Sequence, residues 1–385
     1  FMSRRSVLVI AGEISGDMHA AQVVRALQAR DAGLTFFGIG GDELRAAGVE
    51  ILHDVREMAV MGLAEVLRRY GFFRRVFREM VELAAARRPD AVLLVDYPGF
   101  NLRYAQELHR MGIKVIYYVC PQVWAWHRSR IKLMARIVDR LIVIFPFEVG
   151  VFAGTGLKVD FVGHPLVDVA ERVRAEPPAA LPWPGELPVA ILPGSRAQEI
   201  QRILPPMLGA ADLLAEKRPE AGFLVAAPSE AIADIVRTVM GSHGLKRARC
   251  EIVAGQTRHV LRQARAAMVA SGTATIETAL MDCPMVVVYR TSPFTYWIGR
   301  MLVQVEHIGM VNIVAGRGLC PEFIQGDATP SRLASALEPL LDETPERAQM
   351  VVGLEQVRQA LGEGGCAERA AEVIRDELGK KAPEH

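Results

Sequence analysis

MVASGTATIETALMDCPMVVVYR, residues Met268 to Arg290, lays out a strand, a turn, a helix and a second strand in 23 residues. The apolar run Ala267 to Ala270 ends in Ser271-Gly272-Thr273, a helix opens at Thr273, and a second apolar run covers Met285 to Tyr289. A β-branched strand, a crossover helix and another such strand form the repeating unit of a parallel sheet covered on both faces. Gly272 lets backbone approach a ligand closely, Ser271 or Thr273 can cap the helix, and the helix start offers unpaired N–H groups to an anion. Glu277 follows Thr273 by four residues, so one helical turn brings its carboxylate to the same face, where a ribose diol beside a diphosphate would meet it. The same residues also suit an ordinary βαβ corner with a capping threonine and a solvated glutamate.

The same alternation extends in both directions. Apolar runs at Val7–Ala11, Leu34–Ile39, Ala91–Val95, Lys114–Val119, Leu141–Phe145 and Val159–Val162 alternate with helical patterns. A second series comprises Val189–Leu192, Phe223–Ala226, Glu251–Val253 and the two strands above. Between the series, Ala175 to Pro188 holds five prolines, too many for helix or central strand, and reads as a linker. From Pro330 on, Leu333, Leu337 and Leu340–Leu341 recur at helical spacing. The expected organisation is an N-terminal Rossmann-like domain at 1–170, a linker at 171–188, a second Rossmann-like domain at 189–340 and a helical tail at 341–385, with the two sheets facing across a ligand cleft.

At 385 residues, 51% hydrophobic and 23% charged, the chain is globular and long enough for about two domains. A net charge of +1 gives no global attraction to nucleic acid, so recognition of anions must be local. Five scattered cysteines without a Cys-X-X-Cys pair point to a reducing compartment rather than to a disulfide frame or structural zinc. The N-terminus enters its first strand too soon to read as a signal peptide, and no run of eighteen apolar residues occurs.

Several motifs carry candidate chemistry. Gly12-Glu13-Ile14-Ser15-Gly16-Asp17 follows the first strand, but it is neither G-x-G-x-x-G nor a P-loop with its lysine, and its acids suit sugar hydroxyls better than phosphates. A tight turn with Asp17 as helix cap is the plainer account. Asp96 ends the run AVLLV, at the carboxyl end of a buried parallel strand, where partial burial raises a carboxyl toward a usable base; a helix cap competes with that role. Pro193-Gly194-Ser195-Arg196 ends another strand and offers a hydroxyl and a guanidinium that can grip a diphosphate bidentately without a metal; no Asp-X-Asp occurs.

Met58 to Met80 interleaves Phe72 and Phe73 with Arg68, Arg69, Arg74 and Arg75, as at an anionic lipid interface or on a core helix with a basic outer face; Gly71 favours two short helices there. Two tryptophans, Trp124 and Trp126, precede a run of cations, which fits a ligand that is part sugar or lipid and part phosphate. Nucleic acid is disfavoured by the neutral net charge and the lack of a recognised module.

Taken together, AGEISGD, VDYPGFN, PQVWAWHRSR, VGHPLVD, LPGSR, SGTATIETAL with CPMVVVYR, and MVNIVAGR, running in order from residue 11 to residue 317, closely resemble the lipid-A-disaccharide synthase family. The resemblance implies an α/β GT-B fold of two Rossmann-like domains with a C-terminal helical segment packing back on the first. It implies an inverting transfer of 2,3-diacylglucosamine from UDP to the 6-hydroxyl of 2,3-diacylglucosamine 1-phosphate, with no cofactor and no metal. Asp96 would be the base and Glu13 would line the acceptor side. Ser195, Arg196 and Ser271 to Thr273 would hold the diphosphate, Glu277 the ribose, and Asn312 and Arg317 would complete the donor site. Gly16, Asp17, His19, Gln122, Trp124 and Trp126 fall to the acceptor side. The family works at the cytoplasmic face of the inner membrane, which implies an anionic membrane as partner, and the helical tail is where a homodimer contact would be sought. A UDP-sugar 2-epimerase, a soluble-acceptor transferase and a nucleotide-binding peripheral membrane protein without turnover are the competing functions.

Overall fold

The computed structural model describes residues 5–58, 70–125, 129–292 and 306–380. The chain divides into two compact α/β units, residues 1–165 with 363–385, and residues 166–362.

In the first unit, strands β1 (Ser6–Ala11), β2 (Thr35–Gly40), β3 (Glu50–Asp54), β4 (Ala91–Val95), β5 (Lys114–Tyr118), β6 (Arg140–Val143) and β7 (Val159–Phe161) form one parallel sheet in the order β3-β2-β1-β4-β5-β6-β7. Alternate residues of one strand serve opposite cores, as the two-residue period of a strand requires. Val7, Val9 and Ala11 pack toward the helices Ile14–Arg30 and Cys366–Gly379, while Leu8 and Ile10 pack toward Tyr70–Arg87 and Pro98–Arg110. Gly71 lies within the described helix Tyr70–Arg87, which runs unbroken through it.

The last helix, Cys366–Gly379, lies against the first helix. Its buried Ala370, Ala371 and Ile374 join the first core, and Arg30 pairs with Glu372 at 3.1 Å. Lys114 Nζ donates to the Glu377 carbonyl at 2.6 Å, and Arg369 Nε to the Val162 carbonyl at 2.9 Å, so the C-terminal helical segment is tied back onto the first sheet.

In the second unit, β8 (Leu187–Leu192), β9 (Ala221–Ala227), β10 (Arg249–Ala254), β11 (Ala266–Ala270), β12 (Met285–Tyr289) and β13 (Glu322–Ile324) form a second parallel sheet in the order β10-β9-β8-β11-β12-β13. The proline-rich stretch 176–186 carries neither helix nor strand. Among the described residues no helix is long and apolar enough to cross a membrane.

Each sheet reverses its winding once, between β1 and β4 in the first unit and between β8 and β11 in the second. The loops that leave the carboxyl ends of those neighbouring strands diverge and leave a crevice, the usual ligand seat of an open α/β sheet. Register makes the placement specific. Ala11 pairs with Val95, so Gly12-Glu13 and Asp96-Tyr97 leave the sheet side by side; Leu192 pairs with Val269, so Pro193–Arg196 and Ser271–Thr273 do the same.

Candidate functional site

Asp96 and Tyr97 both adopt left-handed backbone, with φ of 45° and 51°, and Val119 after β5 does so at 63°. Such strain persists only where surrounding contacts over-determine it, and it gathers at functional sites. The contacts are present. Asp96 N donates to the Tyr118 carbonyl at 3.1 Å, while the Asp96 carbonyl accepts from Tyr117 Oη at 2.6 Å and from Nδ2 of the fully buried Asn101 at 2.7 Å. The Tyr97 ring lies over Gly12, where a Cβ would sit 2.3 Å from it, and its hydroxyl donates to the Met58 carbonyl at 3.1 Å. The Asp96 carboxyl is pushed up from 3.8 to about 6, first by burial and then by the charge of Glu13. A base with that affinity for protons is ionised at neutral pH and still strong enough to take a proton in a transition state.

The residues around this pair divide into those that can meet a ligand and those turned into the fold. His19 Nδ1 is buried without a hydrogen-bond partner, and burial lowers its pKa, so it is a neutral imidazole at pH 7. Close to it, His164 is lowered to about 3 by burial and then by His19. Gln122 is exposed.

Asp17 is corrected from acceptor contact to structural clamp: Oδ1 accepts from Gly41 N at 2.6 Å and Leu44 N at 3.2 Å, and Oδ2 from Glu43 N at 3.0 Å. Gly16 is buried in the same helix, packed near Ala11 and Val95. Trp124 is corrected likewise. It is 7% exposed, stands edge-on to Phe147 with centroids 4.9 Å apart, and donates through Nε1 to Glu148 at 3.2 Å. Trp126, Arg68 and Arg69 lie outside the described residues. Phe72 and Phe73 pack partly buried against the second core while Arg74 and Arg75 are exposed.

Glu148 escaped the sequence reading. It is 1% exposed, its carboxyl is raised to about 8 chiefly by burial, and Asp96 adds to that rise. A lone acid inside the apolar run Ile144 to Phe152 was the signal available for it.

In the second unit, Ser195 and Arg196 are exposed at the turn before the helix Ala197–Lys217. Gly194 has φ of 111°, and a Cβ there would lie 2.2 Å from Glu199 Oε2. That carboxylate bends back over the turn and accepts from Ser195 N at 3.3 Å; burial raises its pKa. The neighbouring helix, Thr273–Leu280, is preceded by Gly272 at φ 125° with no side-chain cap, so neither Ser271 nor Thr273 plays the expected capping part. Ser271 Oγ instead donates to the Ile308 carbonyl at 3.1 Å.

Behind Ser271, Asn312 and Glu322 form a buried scaffold. Asn312 donates through Nδ2 to the Cys320 carbonyl and to Glu322 Oε1, both at 2.8 Å, and accepts from Cys320 N at 2.8 Å. Glu322 in turn accepts from Gly309 N at 2.9 Å and Ile308 N at 3.0 Å. Asn312, expected at the ligand, is fully buried with its amide turned into the fold, and it sets the loop on which Ser271 rests. Glu277 pairs with Arg258 at 2.5 Å and is partly exposed, so a ribose would have to share it. Arg317 does not join Ser271–Thr273: it donates to Gln356 at 3.2 Å and lines a small cavity with Glu346 and Met350.

The family model described as Lipid-A-disaccharide synthetase matches residues 7–375. The lipid-A-disaccharide synthase of Anaeromyxobacter sp. (strain K) is 44% identical over 373 residues, 96% of each chain. That of Geobacter sulfurreducens is 40% identical over 380 residues, 97% of this chain and 98% of its own. Among solved structures, CalG4, the calicheamicin glycosyltransferase, aligns with a TM-score of 0.61 at 17% identity over 99% of this chain and 100% of its own. A UDP-GlcNAc 2-epimerase from Neisseria meningitidis bound to UDP-GlcNAc aligns with a TM-score of 0.60 at 11% identity, over 98% and 100%. These structural likenesses speak for the GT-B fold alone. On the matched model and these relatives, the chain belongs to the lipid-A-disaccharide synthase family of glycosyltransferases.

Proposed function

We propose that the chain moves 2,3-diacylglucosamine from UDP to the 6-hydroxyl of 2,3-diacylglucosamine 1-phosphate, with inversion, forming the β(1→6) disaccharide 1-phosphate and UDP. The observation that carries this reading is Asp96: a carboxyl raised to about 6, on strained backbone, beside Glu13 at the winding reversal of the first sheet. Asp96 takes the proton of the attacking hydroxyl as the bond to the donor's anomeric carbon forms and the bond to the diphosphate breaks. Charge that develops on the departing UDP is met by the Arg196 guanidinium, the Ser195 hydroxyl and the N–H groups that open the helix Thr273–Leu280. Catalysis of this kind is positioning and electrostatics, and the single displacement needs no redox step and no covalent intermediate on the enzyme.

Glu13 keeps Asp96 basic. Gln122 and His19 stand on the acceptor side, and Glu277 takes the ribose hydroxyls on the donor side. Asn312 acts through Glu322 and the loop at Ile308, as a positioning residue. The exposed Arg74 and Arg75 support docking on an anionic bilayer at the cytoplasmic face of the inner membrane. Reversing both charges should lower partition onto anionic vesicles; unchanged partition would remove that contact.

The deciding assay follows UDP release and product mass with each lipid alone and with both. UDP that appears only with both lipids, together with a disaccharide mass, supports the transferase. The fold neighbours include a 2-epimerase, and turnover of the UDP-sugar without acceptor would favour that reading instead.

A further inference from the structure

We propose that an aromatic recess beside Asp96 binds one acyl chain of the acceptor and limits its length. The proposal rests on the reading of Asp96 as the acceptor's base. The recess has a volume of about 590 Å³, within the roughly 300–1,000 Å³ of small-molecule sites. Phe73, Phe77, Tyr97 and Phe100 form its walls. Phe77 meets Phe100 edge-on at 5.5 Å, and Tyr97 lies 6.2 Å from Phe100, so the walls brace one another. Phe77 is backed by the buried Tyr104 at 5.9 Å.

Two observations choose the occupant. Among the described residues, the charged side chains in the lining are Arg74 and Arg103, both exposed, and none is acidic. An apolar interior with a cationic rim fits an alkyl chain whose far end carries a phosphate. The second observation is position. Tyr97 directly follows Asp96 and its ring lies against Gly12, so one ring separates the recess from the Glu13–Asp96 pair. A chain held there belongs to the molecule whose hydroxyl Asp96 deprotonates.

Gly99 gives a clean test. It lies in the first turn of the helix Pro98–Arg110 and lines the recess, and a Cβ there meets nothing within 4 Å. A side chain at position 99 therefore starts from open space on the recess lining, so Gly99→Phe adds bulk there without its Cβ displacing backbone, and Gly99→Ala serves as the size control. Binding of alkyl phosphates from eight to fourteen carbons is measured by calorimetry, alongside turnover of acceptors with the same range of acyl chains.

In the native chain affinity should rise about four-fold per methylene up to a limit. Gly99→Phe should move that limit to shorter chains and cost the longest chains at least about ten-fold, more than one methylene is worth, while UDP affinity stays level. An unchanged chain-length profile in Gly99→Phe overturns the proposal. So does a parallel loss of partition onto anionic vesicles, which would make the recess a bilayer contact. If alkyl phosphates show the graded response and no acceptor is turned over, the recess stands and the transferase reading fails.

Discussion

Replacing Asp96 by Asn should make the protein more stable and nearly inactive at once. Asn tolerates the left-handed backbone that position 96 adopts, at φ 45°, so the strained turn survives the change. The native carboxyl is raised from 3.8 to about 6, a difference of about two pKa units, or ~3 kcal/mol, that favours the protonated form in the folded chain. The sign follows from that direction. Below about pH 4 the carboxyl is protonated in both folded and unfolded chains, and it adds nothing to the pH dependence. Between about 4 and 6 the unfolded chain loses its proton first, and native stability falls. Above about 6 the folded state carries the full penalty. Asp96→Asn removes that penalty, so its stability gain over the native chain should be near zero at pH 4 and approach ~3 kcal/mol at pH 8, with the bonding of the new amide as the remaining difference.

Turnover should fall by roughly 10²–10⁴, the usual worth of a general base. Paired denaturant titrations at pH 4.5 and 8, with UDP-release kinetics on the same preparations, test both halves. Turnover within a few-fold of native, or a stability gain equal at the two pH values, would refute the argument. For the native chain kcat/KM should decline below about pH 6, and Glu13→Gln, by removing a neighbouring negative charge, should shift that acid limb to lower pH.

Arg196→Ala removes an exposed cation whose neighbour among the described residues is the Glu199 carboxylate, so unfolding should change little while UDP affinity drops by roughly ten- to a hundred-fold, the worth of a charged hydrogen bond; isothermal titration reads it. Glu199→Gln keeps an oxygen for Ser195 N but deletes a negative charge from the turn that would take the diphosphate, and the same titration should show tighter UDP binding, with weaker binding counting against that seat. Asn312→Ala leaves Glu322 and the Cys320 backbone short of partners in a buried setting, which should lower stability by about 2–3 kcal/mol in denaturant titration.

The sheets were readable because a parallel strand buried on both faces is an uninterrupted apolar run; such runs, together with the half-exposed edge runs Val159–Val162 and Glu251–Val253 that carry Asp160 and Glu251, correspond to eleven of the strands. The two strands that went unread are edge pieces. Glu50–Asp54 has two apolar residues between charged neighbours and is mostly half-exposed, and Glu322–Ile324 is three residues long. Asp96 stood out because it follows the run Ala91–Val95 directly, and Arg196 because it closes the Pro193-Gly194-Ser195-Arg196 turn after the run Val189–Leu192. What periodicity could not show was the partner each polar side chain takes. Asp17 bonds to backbone 24 residues ahead, Glu277 pairs 19 residues back with Arg258, and Trp124 reaches Glu148 24 residues on. Those pairings arise only after the strands have ordered themselves, so nearby sequence holds no trace of them.

Gly12 and Tyr97 stand 85 positions apart in the chain, yet any atom added to the first would strike the ring of the second. Inheritance must therefore treat them as one character. A lineage can acquire a side chain at position 12 only after position 97 has shrunk, and the reverse order passes through an ancestor whose Asp96-Tyr97 turn has been pushed out of place. Among descendants of this chain, an aromatic at 97 should be found only in company with glycine at 12.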